Sequence, residues 1–373
     1  MARLEDVCSI NMGQSPESSS YNETGEGIPF FQGNADFGEL HPTVRVWCNA
    51  PTKIAKQGDI LISVRAPIGA LNIANVKCCI GRGLAALSVN ERLCYQKYLW
   101  YALECKVDEL NSKGTGSTFK AINKKTLAET EISLPLLDEQ RRIAAVLDKV
   151  SGLIAKRREQ LDKLDKLVKA RFVEMFGDTI INPYGWNKNF LGTVCDVRDG
   201  THESPQYYNV GFPLLTSKNV TSGKIDLTEC CLISETDYNK INERSKVDMG
   251  DVIMPMIGTV GKPVIVNIEP NFAIKNVSLI KFRPNSEVLN IYILALLQSD
   301  YFDTTVLSKI RGGTQKFISL GDIRKLEILV PPIELQNKFA AFVTQTDKSK
   351  LTIQQSLDKL EVLKKALMQQ YFG

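Results

Sequence analysis

Short apolar runs bounded by glycine, proline or asparagine recur in two separate stretches of the chain. Gly58–Val64 (GDILISV), Ala70–Val76 (ALNIANV) and Gly83–Val89 (GLAALSV) form one set, and Asp251–Ile257 (DVIMPMI), Pro263–Ile268 (PVIVNI) and Val277–Phe282 (VSLIKF) form the other. Runs of this length and punctuation predict strands. A helical stretch follows each set, Tyr95–Leu110 and Leu289–Leu307. Elsewhere the period changes. Positions Ile143, Leu147, Val150, Ile154, Arg157, Leu161, Leu164, Val168, Arg171 and Met175 alternate in steps of four and three, and eight of the ten are apolar. A seam this narrow, repeating every 3.5 residues, predicts a coiled-coil helix rather than one lying on a broad core.

The chain writes this plan twice. PLLDEQRRIAA (Pro135–Ala145) returns 196 positions later as PPIELQNKFAA (Pro331–Ala341), and TFKAINKKTLAETEISLP (Thr118–Pro135) overlies TQKFISLGDIRKLEILVP (Thr314–Pro331). With small gaps LEDVCSI (Leu4–Ile10) pairs with LGTVCDV (Leu191–Val197), and GIPFFQGNA (Gly27–Ala35) with GFPLLTSKN (Gly211–Asn219). Proline cannot continue a strand ladder, and an acidic residue three positions on, Asp138 or Glu334, favours a helix start. Because 196 is a whole number of heptads, the second helix keeps the phase: Phe339, Val343, Thr346, Lys350, Ile353, Leu357, Leu360, Lys364, Leu367 and Tyr371. A lone helix with such a seam leaves apolar surface in water, so each copy is the natural partner of the other. The expected interface is Ile143, Leu147, Val150, Ile154, Leu161, Leu164 and Val168 against Ile353, Leu357, Leu360 and Leu367.

The expected organisation is a globule over 1–137, a helix over 138–177, a second globule over 178–333 and a second helix over 334–373. Each globule reads as a mixed sheet with covering helices, an α+β class. Helices of about 37 residues would make a rod roughly 55 Å long. A globule at each end of it would be more than one DNA turn from the other, a turn being about 34 to 36 Å.

Composition narrows the function. At 373 residues with 43% hydrophobic and 24% charged side chains, the chain has an ordinary globular balance and more than one core. It has no run of roughly 20 apolar residues and no secretory h-region, so a cytoplasmic location is expected. Nine cysteines, four of them in the vicinal pairs Cys78-Cys79 and Cys230-Cys231, without C-x-x-C and with only His41 and His202 as imidazoles, point to buried thiols and to no metal site. The net charge is +4, yet residues 1–137 carry 14 basic and 14 acidic side chains. Any polyanion surface must therefore come from local placement of Lys and Arg.

Candidate chemistry lies in the long polar loops. Met12–Gly27 corresponds to Arg198–Gly211, and Gly114–Asn123 to Arg311–Ser319. Small hydroxyl and amide residues beside Lys and Arg can bind phosphate or read base edges. The candidates for DNA contact are Gln14, Asn34, Arg65, Arg82 and Lys120 in the first globule, and Thr201, His202, Lys218, Asn219, Lys275, Arg311, Gln315 and Lys316 in the second. No catalytic residue is expected: His202 lacks a partner Ser, Cys or metal cluster in both copies. GTVGKP (Gly258–Pro263) is no phosphate loop, and NPYGW (Asn182–Trp186) is one proline short of an N-P-P-Y tetrad.

The pattern resembles the specificity subunits of type I restriction-modification systems. The likeness spans nearly the whole chain and rests on Ser117–Val150, Phe176–Trp186 (FGDTIINPYGW), Asp199–Pro205 (DGTHESP) and Gly58–Ala74 (GDILISVRAPIGALNIA). In that family each globule is a target-recognition domain reading half of a bipartite DNA sequence, and the helices form an antiparallel coiled coil that fixes the unread spacer. The resemblance implies a non-catalytic chain that binds double-stranded DNA, two modification (methyltransferase) subunits and a restriction (translocase/nuclease) subunit. It implies no cofactor on this chain; S-adenosylmethionine, ATP and magnesium would belong to the partners. Unlike loops on a shared frame imply an asymmetric target. The alternatives are a coiled-coil adaptor for proteins alone, and an enzyme fused to its reader, against which the missing cofactor loop and tetrad argue. The chain departs from the repeat in two places: it starts almost directly at Leu4–Val7 without a counterpart of Trp186, and the second join reads Leu335-Gln336 where the first reads Glu139-Gln140.

Overall fold

The computed structural model describes residues 1–116, 120–221, 223–257, 260–310 and 317–373. Two units share the chain, Met1–Arg158 with Gln355–Gly373, and Glu159–Gln354. Both 40-residue helices, Leu137–Phe176 and Ile333–Phe372, give one half to each unit.

In the first unit, strand Leu84–Val89 pairs antiparallel with Cys8–Met12 on one side and Ile60–Ser63 on the other, and Ile60–Ser63 pairs with Leu71–Ile73. Ile60, Ile62, Ala85 and Leu87 turn one face of this sheet onto helix Gln96–Cys105, which inserts Tyr98, Leu99 and Ala102. Leu61, Leu84 and Ala86 point the other way, toward Phe31, Cys78 and Ile80 of a second sheet. There Ile28–Phe31 runs antiparallel to Val46–Cys48 and parallel to Cys78–Ile80. Burial on both faces explains why these strands read as continuous apolar runs instead of alternating ones.

The second unit repeats that order. Val277–Lys281 lies between Asp196–Asp199 and Val252–Pro255, with Val264–Ile265 at the edge. Phe212–Leu215 is antiparallel to Cys231–Ile233 and parallel to Ala273–Ile274. The GD pair that opens the long strand in each copy is scaffold: buried Asp59 accepts from the Lys56 amide at 2.7 Å, and buried Asp251 from the Asp248 amide at 2.8 Å. Asp59 then takes the Ser88 hydroxyl and Asp251 the Lys281 ammonium.

Some elements differ from the sequence pattern. The stretch 95–110 breaks at Lys106 into Gln96–Cys105 and Val107–Ser112. The stretch 289–307 stops being regular at Leu297 because the Ser299 hydroxyl donates back to the Leu296 carbonyl at 2.7 Å; a π-helical turn, Phe302–Val306, follows. Helix Glu235–Ser245, N-capped by Ser234, was not apparent as a period and has no helical counterpart among the described residues 49–59. No described helix is long and apolar enough to cross a membrane. The nine cysteines are unpaired, and burial pushes the Cys8, Cys78, Cys94 and Cys195 thiols up to about 12.

All ten seam positions of each long helix are buried or half-buried. In the first unit the helix halves run antiparallel: Ile143 and Leu147 share a core with Leu367, Met368, Tyr371 and Phe372, and Arg158 meets Glu361 at 2.7 Å. In the second unit Asp165 meets Lys350 at 2.6 Å, Arg171 lies over the Phe342 ring, and Phe172 packs edge-on to Phe339. Val150 and Ile154 are buried, whereas Leu161, Leu164, Val168, Ile353, Leu360 and Leu367 are half-buried and Leu357 is buried. The polar interruptions have partners. Thr346 donates to the Phe342 carbonyl, Lys350 takes Asp165, and Lys364 reaches Glu104 at 2.8 Å beside the Tyr101 ring.

Each helix is tied to its globule by a buried glutamine at the repeated join. Gln140 accepts from the Tyr95 amide at 2.8 Å and donates to the Leu93 and Pro135 carbonyls. Gln336 does the same with the Leu289 amide and the Glu287 and Pro331 carbonyls. The join therefore keeps its glutamine while the residue before it changes from Glu139 to Leu335. In the second unit the linker also closes on itself, with the Trp186 indole donating to the Phe176 carbonyl at 2.9 Å and Asn182 exchanging two bonds with the Trp186 backbone.

Candidate nucleic-acid interface

In each globule the first strand of the main sheet ends in a glycine pressed against backbone, and the chain then enters its long polar loop. A Cβ on Gly13 would sit 2.2 Å from the Gly81 carbonyl oxygen, and one on Gly200 2.3 Å from that of Ile274. The next residues, Gln14 and Thr201, donate their amides to the Ile80 and Ile274 carbonyls, each at 3.0 Å. Both loops thus start from the seam between the two sheets, over the turn that leads into the central strand.

Around that start the first globule gathers Gln14, Asn34 and Arg82. The Ser15 hydroxyl accepts the Arg82 amide and exchanges hydrogen bonds with Gln32 at 3.0 and 3.2 Å. Asn34 opens the turn Asn34–Asp36, which the Asp36 carboxylate closes on the Gln32 amide at 2.8 Å. The Gln14 and Arg82 side chains are exposed. Arg65 and Lys120 form a separate exposed pair, because Arg65 bridges to Ala121 and the Ala66 amide donates to the Lys120 carbonyl.

In the second globule Thr201, His202 and Lys275 come together. Thr201 bridges to Lys275, and the Lys275 ammonium donates to the Ser204 hydroxyl at 2.6 Å. Lys218 is exposed on the turn Ser217–Asn219, while Asn219 is buried and spends its side-chain oxygen on the Thr216 amide and hydroxyl. Arg311, Gln315 and Lys316 lie outside the described residues.

His202 sits between two oxygens, Asn276 Oδ1 at its Nδ1 and Asp199 Oδ2 at its Nε2, both at 2.9 Å. The protonated ring can donate to both, and these bonds, Asn276's first and then Asp199's, raise its pKa above the ordinary histidine value of 6.5. The stability that this ring contributes is complete below the unfolded value and lost as pH rises through the higher folded value. In a proton NMR titration the His202 midpoint is expected above 6.5, and Asn276→Ala should lower it. A wild-type midpoint at or below 6.5 would contradict the arrangement.

Asp199, Asn276 and Arg244 complete this cluster and were not among the sequence candidates. Asp199 is buried at the end of its strand and holds the Arg244 guanidinium on its other oxygen. A carboxylate in the buried phase of a strand was the available signal; Arg244 and Asn276 come from distant segments and had none. Among the described residues there is no group of three or more metal-ligating side chains. The arrangement offers exposed donors on a rigid base, suited to a polyanion with readable edges.

The chain matches the family model of the type I restriction modification DNA specificity domain twice, over residues 1–165 and 183–364. It is similar to the putative type I restriction enzyme MjaX specificity subunit of Methanocaldococcus jannaschii, 44% identical over 165 residues, which cover 44% of this chain and 39% of that one. With the MjaIX specificity subunit of the same organism it shares 24% identity, over 98% of this chain and 90% of that protein. The crystal structure of a type I restriction-modification S subunit from M. genitalium has the same fold, with a TM-score of 0.62 at 17% identity, covering 100% of this chain and 95% of the other.

Proposed function

The chain belongs to the family of type I restriction modification DNA specificity domains, and from that premise we propose that it is the sequence-reading subunit of a type I restriction-modification complex. Each globule reads one half-site of a bipartite, asymmetric target, and the chain scaffolds two methyltransferase subunits and a translocase/nuclease subunit. It performs no chemistry of its own; S-adenosylmethionine, ATP and magnesium serve the partners. The observation that carries this reading is the repeated scaffold with unlike loops. The strand order of the main sheet, the glycine pressed against backbone, the GD turn and the glutamine join recur in both globules, whereas Gln14, Ser15 and Arg82 at the loop start of one stand where the other has Thr201, His202 and Asn276.

Footprinting on duplexes of random sequence, with the modification subunit present, tests it. Protection of two separated, dissimilar blocks is expected. Protein assembly without any preferred site would favour the coiled-coil adaptor instead. Lys120→Ala should weaken binding to all sequences alike and flatten the slope of log affinity against log salt by about one unit. Unchanged affinity and slope would remove Lys120 from the surface that meets phosphate.

A further inference from the structure

A cleft of about 280 Å³ in the second globule lies between the loop that starts at Gly200 and helix Glu235–Ser245, bordered by Thr201, His202, Pro205, Lys240, Ile241 and Arg244. Behind two of its bordering residues, His202 and Arg244, lies Asp199, which both of them bond and whose side chain is only 7% exposed, while the Arg244 side chain is 67% exposed. This is an unusual division of labour for an ion pair. A buried carboxylate must be neutralised, and Asp199 is, by Arg244 on Oδ1 and by His202 on Oδ2. One amino group of the guanidinium, Nη2, supplies that bond, and no other described side chain pairs with Arg244. With the side chain 67% exposed, the rest of the guanidinium is open to solvent.

The backbone under Arg244 is fixed as well. The Arg198 guanidinium donates to the Arg244 carbonyl at 2.9 Å and is itself held by Asp196 at 2.6 Å, and the neighbouring Ser245 is buried and bonded to the Ile241 carbonyl. An exposed arginine clamped at both its backbone and one amino group has lost its rotamer freedom before any ligand arrives, which lowers the cost of binding. The free part of such a planar fork suits the O6 and N7 acceptors of guanine in the major groove. The first globule has nothing equivalent: Met12 stands where the second has Asp199, and the described residues 49–59 contain no helix.

We propose that Arg244 reads a guanine in the second half-site and that Asp199 is its positioning residue. The inference rests on the DNA-reading function proposed above and adds the residue and the base. Arg244 touches the DNA; Asp199 acts through it, and His202 completes the neutralisation of Asp199.

The test uses the full chain assembled with its modification subunit, on a duplex library with the second half-site randomised and the first held constant. Methylated products are sequenced for the wild type, Arg244→Ala, Arg244→Lys and Asp199→Asn. The wild type should require guanine at one position. Both Arg244 variants should lose that requirement by roughly 10- to 100-fold, since lysine keeps the charge but not the two-pronged donor. Asp199→Asn should weaken the same position and no other, and preferences in the first half-site should stay as they are. A matched melting temperature for Arg244→Ala separates a reading defect from unfolding. The proposal is overturned if Arg244→Ala keeps every base preference and merely binds all sequences more weakly with a salt slope lower by one, as a phosphate contact would. It is equally overturned if Arg244→Lys restores the guanine requirement. A wild-type chain with no bipartite preference at all sinks the proposed function together with this inference, whereas a bipartite site unaltered by Arg244→Ala sinks the inference alone.

Discussion

Gly200→Ala is expected to destabilise the second globule by about 2 to 5 kcal/mol, the range of severe steric changes in a packed site, and to abolish recognition of one half-site. The added methyl group would lie 2.3 Å from the Ile274 carbonyl oxygen, 2.5 Å from its carbon and 2.8 Å from the Lys275 nitrogen, all of them backbone. No rotamer change can relieve that. Ile274 is paired with Leu215 in the second sheet and accepts the Thr201 amide, so its displacement loosens the strand and the loop start together. Gly13→Ala should do the same to the first globule, where the nearest atom is the Gly81 carbonyl oxygen at 2.2 Å. Gly33→Ala is the control: nothing lies within 4 Å of its Cβ and its backbone is extended at φ −171°. Melting curves of the three variants beside the wild type check this. Equal melting for Gly200→Ala and Gly33→Ala would show that the close approach is not obligatory.

Gln336→Leu should cost the second unit about 2 to 4 kcal/mol, because the Pro331 carbonyl loses its partner in the interior and the half-buried Leu289 amide and the Glu287 carbonyl lose theirs with it, an unsatisfied buried group costing about 1 to 3 kcal/mol. Leucine nearly preserves the volume, so the loss isolates hydrogen bonding from packing. The Leu289 amide, which donates to Gln336 at 2.8 Å, is the local reporter. Its hydrogen exchange is expected to accelerate by several orders of magnitude, and the C-terminal helix should detach from Leu289 before the sheet unfolds. Gln140→Leu should act likewise through the Tyr95 amide in the first unit. If exchange at Leu289 is unchanged, the glutamine is not what ties helix to globule.

The scaffold was legible where a local rule writes itself into spacing. The seam could be read because period 3.5 marks a contact stripe whatever the partner, and the strand sets because Gly, Pro and Asn punctuate runs buried on both faces. The repeat made the glutamine join visible as a pattern, although not as a clamp: its partners, Leu93 and Tyr95 or Glu287 and Leu289, lie more than forty residues earlier. The seam lysines, Lys350 and Lys364, are matched by Asp165 and Glu104, acidic partners that the heptad spacing does not reveal.

The reading surface was legible only in part. Gln14, Arg82, Thr201, His202 and Lys275 stand where their loops leave the sheets, because a polar loop after an apolar strand is a local signal. Asn219 shows its limit: the same residue type that can read a base also closes a turn, and burial on Thr216 is a tertiary fact. The Asp199 cluster draws on a strand end, a loop, a helix and a turn, so no window of sequence contains it.

In the proposed function, one chain with two unlike globules directs modification to a two-part asymmetric DNA sequence. Methylated adenines mapped across the genome of the host, with and without this gene, measure that directly. Deletion is expected to erase methylation at a single motif made of two dissimilar blocks around a fixed unread gap, and nowhere else. A methylation map that deletion leaves unchanged would contradict it.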